Sequence, residues 1–276
     1  MARPRKSLGQ NFLVDPDIQI RIVEALQPLP SDAVLEVGPG RGALTTHLAQ
    51  RVNSLVAVEL DDQLAARLAT DFHNFPNVRI VHDNILNVHP ADFTRDVASL
   101  KVIGNIPYNI TSPLIFHLLE RDHRPDRLVL MVQKEVATRI AAPPGSRDFG
   151  ALSIGVQAVA SVQRLFHVPR GAFRPVPNVD STVLLISPIR PFPLSEADEA
   201  DLRSLTRAAF QRRRKQFQTI LRTAPEYALA RLELARIADR TGIDFQRRPE
   251  SLSVHEFIDL ARSLRNLDPP SSASPP

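Results

Sequence analysis

The residues best suited to chemistry fall in four places in the first half of the chain. One is the run Glu36-Val37-Gly38-Pro39-Gly40-Arg41-Gly42. Glycines let a backbone turn sharply and let a ligand approach it closely. The spacing is G-x-G-x-G with a proline inside, which argues against the dinucleotide pattern G-x-G-x-x-G. Glu59, Asp83 and Asn105 come next, each roughly twenty residues after the one before. A carboxylate at Glu59 can accept both hydroxyls of a ribose, and one at Asp83 can accept the exocyclic amine of an adenine. Asn105 opens the motif Asn105-Ile106-Pro107-Tyr108. An adenine amine is a poor nucleophile because its lone pair is delocalised into the ring. Two acceptors on its N–H groups, the Asn105 side-chain oxygen and the Ile106 carbonyl, favour a pyramidal nitrogen whose lone pair faces an electrophile. Pro107 stiffens that turn, and Tyr108 can stack on a base for about 1–3 kcal/mol. Each residue alone also fits an ordinary loop or core role; the shared period sets the four apart.

Such residues can meet only if the fold carries them to one edge. Between residues 31 and 190, short β-branched runs alternate with helical patterns, which predicts βα units around a mostly parallel sheet. Strands are expected at 33–37, 54–58, 78–82, 101–104, 127–132, 161–167 and 181–186, with helices such as 43–51, 61–71 and 112–120 between the earlier ones. Glu59, Asp83 and Asn105 then all end strands on one rim, where open α/β sheets bind ligands. The last two strands are joined by a proline-rich loop, 169–177, with no room for a crossover helix, so an antiparallel edge pair is expected. Pro188, Pro191 and Pro193 mark a turn or linker. Helical patterns alone follow, at 196–222, 225–241 and 254–264. The expected architecture is an α/β, Rossmann-like domain over 1–190, a small all-helical domain over 191–267 and a disordered Pro/Ser-rich tail over 268–276.

Composition narrows the function. Hydrophobic residues make up 43% and charged residues 23%, as in globular proteins generally. No apolar run is long enough for a membrane span. The absence of cysteine excludes disulfides and thiolate metal sites. The histidines show no ligand or triad spacing, so no metal is expected. No signal peptide is visible and few residues precede Gly9, so a cytoplasmic location is expected. The net charge is only +4, but Arg203, Arg207, Arg212, Arg213, Arg214, Lys215 and Arg222 fall in one stretch without an acid, and Arg3, Arg5 and Lys6 add to the start. Local excess of this kind favours a polyanion partner over a merely solvated face. On one continuous helix, Phe210, Phe217, Ile220 and Leu221 fall to one side and Arg212, Lys215 and Arg222 point away, with Arg213 at the apolar edge, half buried or paired.

With those residues in place, the chain resembles the ribosomal RNA adenine-N6 dimethyltransferase family, and within it the small-subunit branch. The resemblance runs through Gly9-Gln10-Asn11-Phe12-Leu13, the glycine loop, the Asn105 motif, Gln133-Lys134-Glu135-Val136, Phe149-Gly150-Ala151-Leu152-Ser153, residues 173–181 and 209–215. It implies a class I methyltransferase fold using S-adenosyl-L-methionine, with contacts from Asn11, Leu13, Gly38, Glu59, Asp83 and Asn105. It also implies that Asn105, Ile106, Pro107 and Tyr108 form the catalytic turn, with Phe173 stacked on the far face of the target base. The implied reaction is direct transfer of four methyl groups, two to each of two adjacent adenosines in a hairpin loop near the 3′ end of 16S rRNA. The base must be extruded to reach the site. The implied partner is the assembling small ribosomal subunit, held by Arg212, Arg213, Arg214, Lys215 and Arg222, with the enzyme acting as a monomer and no membrane involved. Asn178 stands where the family usually carries a basic residue. Ile106 replaces the commoner Leu, without consequence if its carbonyl is the contact. Two alternatives are a large-subunit dimethyltransferase of the macrolide-resistance type and a non-catalytic RNA-binding assembly factor.

Overall fold

The seven aliphatic runs read from the sequence all become strands of one sheet. The structure is a computed structural model describing residues 10–267 except 95, 97, 98, 109, 121–123, 189 and 190. Arg3, Arg5, Lys6, Gly9, His123 and the tail 268–276 therefore lie outside the described residues. In chain order the elements are β1 (Phe12–Leu13), α1 (Pro16–Leu26), β2 (Ala33–Val37), α2 (Thr45–Leu48), β3 (Ser54–Glu59), α3 (Asp62–Asp71), β4 (Val78–His82), β5 (Lys101–Asn105), α4 (Thr111–Leu118), β6 (Arg127–Gln133), α5 (Lys134–Ile140) and α6 (Ala151–Gln157). They continue with β7 (Ser161–Val168), β8 (Phe173–Arg174), β9 (Ser181–Ser187), α7 (Glu196–Gln211), α8 (Phe217–Thr223), α9 (Arg231–Thr241) and α10 (Val254–Arg265).

The large sheet has the order β4-β3-β2-β5-β6-β9-β7. The first five strands are parallel, and β9 runs antiparallel to both β6 and β7. Strand order reverses between β2 and β5, because β3 and β4 extend one way and β6 the other. That reversal opens the crevice in which α/β sheets hold ligands. Gly104 lets β2 and β5 come together there, since a Cβ on it would lie 2.7 Å from the Val37 carbonyl oxygen. The core beneath is aliphatic: Ile22, Val23 and Leu26 of α1 pack with Val34, Leu55, Ile103 and Val129 of the sheet. Asp15 caps α1 by accepting from the Asp17 and Ile18 N–H groups. The helix ends at Gln27, whose carbonyl takes a 2.8 Å bond from Lys101.

The chain divides into two units. The first takes the sheet, with residues up to Ala141 and Val159–Pro191; the second takes Ala142–Ala158 and the residues from Phe192 onward. Residues 142–158, which include α6, thus group with the C-terminal helices, an insertion that alternation along the chain does not reveal. Within the second unit Phe257 of α10 stacks on Phe210 at 5.9 Å and meets Phe217 edge-on at 5.6 Å.

Three sequence expectations need correction. Residues 196–222 are not one helix. A continuous helix would send the Phe217 and Gln218 N–H groups to Arg213 and Arg214, but the Arg247 and Phe245 carbonyls accept them instead. The chain therefore leaves the helix after Gln211 and restarts at Phe217. The expected helix over 225–241 begins only at Arg231, where Glu233 caps Ala230 while Leu221 accepts from Leu229. The short sheet β1–β8 was not expected at all, because two-residue strands carry no alternation to read.

Candidate active site

Above the end of β2 the backbone folds over the crevice. Gly38 and Gly40 hold φ of 63° and 62°, a region costly for residues with a Cβ. The Gly38 N–H donates to the Val58 carbonyl at 3.0 Å. A Cβ on Gly38 would point to the Asn105 carbonyl oxygen at 3.8 Å and Pro107 at 3.9 Å, so the loop's bare face looks onto the turn after β5. A Cβ on Gly40 would press on the Phe12 ring at 3.2 Å.

Glu59, at the end of β3, is buried and held by two backbone donors. Gly40 N–H reaches its Oε2 at 2.9 Å and Asp61 N–H its Oε1 at 2.9 Å. Burial nonetheless pushes its pKa up. The carboxylate is thus fixed before any ligand arrives, and each oxygen keeps a lone pair for a hydroxyl. Asp83 is exposed beyond β4, where its Oδ1 accepts the Asn84 N–H at 2.6 Å. Glu36 is 1% exposed and accepts from the Thr45 hydroxyl at 2.8 Å. Its removal from water pushes its pKa up to about 7.

Asn105 closes β5, and its side-chain nitrogen donates to the Asn11 backbone carbonyl at 3.0 Å. A carbonyl can only accept, so it is the amide nitrogen, and not the oxygen, that faces Asn11. Ile106 N–H is taken by the Met131 carbonyl, which ties the turn to β6. The Pro107 carbonyl accepts from Ile110 N–H at 3.2 Å and hands the chain to α4. Tyr108 is half buried with its hydroxyl 3.5 Å from the Ser181 hydroxyl, and burial raises its pKa.

Asn11, Leu13, Gly38, Glu59, Asp83, Asn105, Ile106, Pro107 and Tyr108 all line one cavity of about 380 Å³, the size of a small-ligand pocket. Phe173 does not. It pairs with Leu13 across the β1–β8 ladder, is 1% exposed and belongs to the aliphatic core. A ring so enclosed has no open face for a base, so the structure does not bring Phe173 to the cavity with the other expected site residues. Sequence reasoning assigned no role to Gln10, Phe12 or Glu36, which also line the cavity. Each carried a signal, Glu36 by its place before the glycine loop and Gln10 and Phe12 by lying in the first block of the family resemblance. Among the described residues, no group of three or more His, Asp or Glu is arranged to hold a metal ion, and no helix is long and apolar enough to cross a membrane.

The basic run lies in the second unit, in the turn between α7 and α8. Arg213 donates to the Arg147 carbonyl at 2.5 Å and stands 3.8 Å from Glu250, half buried and paired as expected. Arg212 is also half buried, with Nη1 enclosed. Arg214, Lys215 and, on α8, Arg222 are exposed. Neither Arg212 nor Lys215 lies within a helix, so the helical wheel does not describe them; Lys215 faces outward nonetheless, whereas Arg212 does not.

The sequence profile of the family described as ribosomal RNA adenine dimethylase matches residues 1–260. Ribosomal RNA small subunit methyltransferase A of Geobacter metallireducens is 43% identical over 267 residues, covering 96% of this chain and 97% of that protein. Its namesake from Geobacter sulfurreducens is 40% identical over 264 residues, covering 95% of each. Among solved structures, a dimethyladenosine transferase from Plasmodium falciparum superposes with a TM-score of 0.77 at 25% identity, covering 90% of this chain and 95% of that one. The 23S rRNA methyltransferase ErmE superposes with a TM-score of 0.70 at 26% identity, covering 92% and 100%.

Proposed function

Because the chain belongs to the ribosomal RNA adenine dimethylase family, we propose that it dimethylates N6 of two adjacent adenosines in the hairpin loop near the 3′ end of small-subunit (16S) rRNA. One observation carries the chemistry: the Asn105 amide is turned with its donor on Asn11, which leaves its oxygen for an amine brought into the cavity. The small-subunit target follows four relatives at 40–43% identity that bear that name. The large-subunit alternative has the weaker likeness, 26% to ErmE. An assembly factor without activity would have no need of an oriented amide beside a nucleoside pocket.

The cavity suits S-adenosyl-L-methionine. Gly38 offers a face that any side chain would fill, Glu59 offers a fixed carboxylate for ribose hydroxyls, and Asp83 offers an acceptor for an adenine amine. When bound, the cofactor supplies a methyl group activated on a sulfonium sulfur. The protein's own part is positioning. The Asn105 oxygen and Ile106 carbonyl draw the two N–H groups of the target amine and turn its lone pair outward. Tyr108 holds the base plane. Well-oriented reactants gain as much as about 7–11 kcal/mol. Transfer would leave the amine nitrogen cationic, and its acidic proton would pass to solvent water, so no strong base is required. A second transfer to the same nitrogen needs only one N–H, which either acceptor can take. Arg214, Lys215 and Arg222 contact RNA phosphates, and the enzyme works as a monomer in the compartment where ribosomes are assembled.

The deciding experiment incubates the protein with labelled cofactor and small subunits that lack the modification, then maps the methylated bases. Two neighbouring dimethyladenosines near the 3′ end of the RNA are expected. Label in large-subunit RNA, or in neither, would reject the reading.

A further inference from the structure

We propose that the segment Gln10-Asn11-Phe12-Leu13 is the device that sets which end of the Asn105 amide faces the target amine, with Gln10 as its positioning residue. The proposal rests on the function argued above and deepens it. An amide has two ends of nearly equal shape. Flipped, Asn105 would aim N–H groups at the N–H groups of the substrate, and the polarising contact would become a repulsion. The bond that prevents this crosses 94 positions of sequence, from Asn105 Nδ2 to the Asn11 carbonyl.

A backbone carbonyl can orient a side chain only if its own segment is fixed, and this one is tied down on both sides. Gln10 donates from Nε2 to Asp61 Oδ2 at 3.1 Å. Asp61 is itself held in place as the cap of α3, where its other oxygen accepts from Gln63 and Leu64 N–H. The Phe12 ring lies under the Arg41 guanidinium at 4.4 Å and against Gly40. Phe12 and Leu13 pair with Arg174 and Phe173, and Val14 N–H donates to the Ala172 carbonyl at 2.9 Å. The buried Phe173 thus gains a purpose as the anchor beneath the segment. Because the same residues line the cavity, their placement links the pocket to the amide that does the polarising. Gln10 is a side-chain tie whose loss leaves the sheets and caps intact, and it adjoins Asn11; Gln19 Nε2 adds another at the far end, donating to the Leu13 carbonyl at 3.1 Å.

The test compares wild type with Gln10→Ala and Gln10→Lys. In Gln10→Ala the Asn105 side-chain NH2, followed by 15N NMR, should lose at least about tenfold of its hydrogen-exchange protection. Turnover at saturating cofactor should fall about tenfold or more, with the KM for small subunits within about twofold. Gln10→Lys, which can remake the tie to Asp61 as an ion pair, should recover both. If Gln10→Ala loses cofactor affinity alone, with turnover and exchange at wild-type values, the segment is only a cover and the proposal is overturned. A wild type that leaves small subunits unmethylated would reject the function instead, while the exchange measurement still decides the orienting role.

Discussion

The proposed function divides the work of the site between two side chains on the cavity wall, and single substitutions should separate them. In the proposed function Asn105 acts on the amine, so Asn105→Ala should cut turnover about 100-fold or more, in line with loss of a preorganised polar contact. Calorimetric affinity for S-adenosyl-L-methionine should change far less. Glu59 is pinned by Gly40 and Asp61 N–H groups, so Glu59→Ala should weaken cofactor binding roughly 10- to 100-fold, the scale of charge-assisted hydrogen bonds. An unchanged affinity would reject the ribose assignment. Glu36 yields a pH prediction. Its folded pKa of about 7 lies above the ordinary 4.5, so the folded state binds the extra proton between those values. Stability is therefore lost as pH rises from 4.5 through 7, by roughly 3 kcal/mol in all. Glu36→Gln keeps an acceptor for Thr45 without the charge. Urea unfolding should find it more stable than wild type at pH 8 and similar at pH 5. The types and period of Glu59, Asp83 and Asn105 were legible in the sequence, because strands of similar length return the chain to one rim at a regular interval. The Asn11 carbonyl was not, since every residue carries one and only the fold selects which is used.

At the level of elements, β5 must lie close against β2 for Asn105 to reach Asn11. Gly104 makes that approach possible, and a methyl group there would meet backbone at 2.7 Å rather than a yielding side chain. Gly104→Ala should therefore cost about 1–3 kcal/mol in urea unfolding and lower turnover as well, because the displaced strand carries Asn105. Wild-type stability in that variant would mean the two strands part freely. The central parallel strands β2, β3, β5 and β6 were readable because both faces are buried and their runs are mostly aliphatic, while the edge strand β4 keeps Arg79 and His82 exposed. The break at Arg212 was not readable. Nothing local forbids a helix through Phe210–Leu221; the stop is imposed by the Arg247 and Phe245 carbonyls, which arrive from thirty residues later in the chain.

For the whole molecule, the question is which of the clustered cations can reach a phosphate. Arg213 is spent on Arg147 and Glu250, and Arg212 is half buried, whereas Arg214 and Lys215 are exposed. Replacing both with Gln should weaken small-subunit binding and flatten the slope of log affinity against log salt by about 0.7–0.9 per lost contact. An unaltered slope would return the turn to a structural role. The sequence by itself determined the sheet, its ligand-bearing rim and the residues able to polarise an amine, because hydrophobic period and residue type are local properties written along the chain. The tertiary structure decided which end of the Asn105 amide meets Asn11, that Phe173 is buried against the core, and which arginines stay exposed. Those outcomes depend on hydrogen bonds and burial between segments far apart in sequence, and no local pattern encodes them.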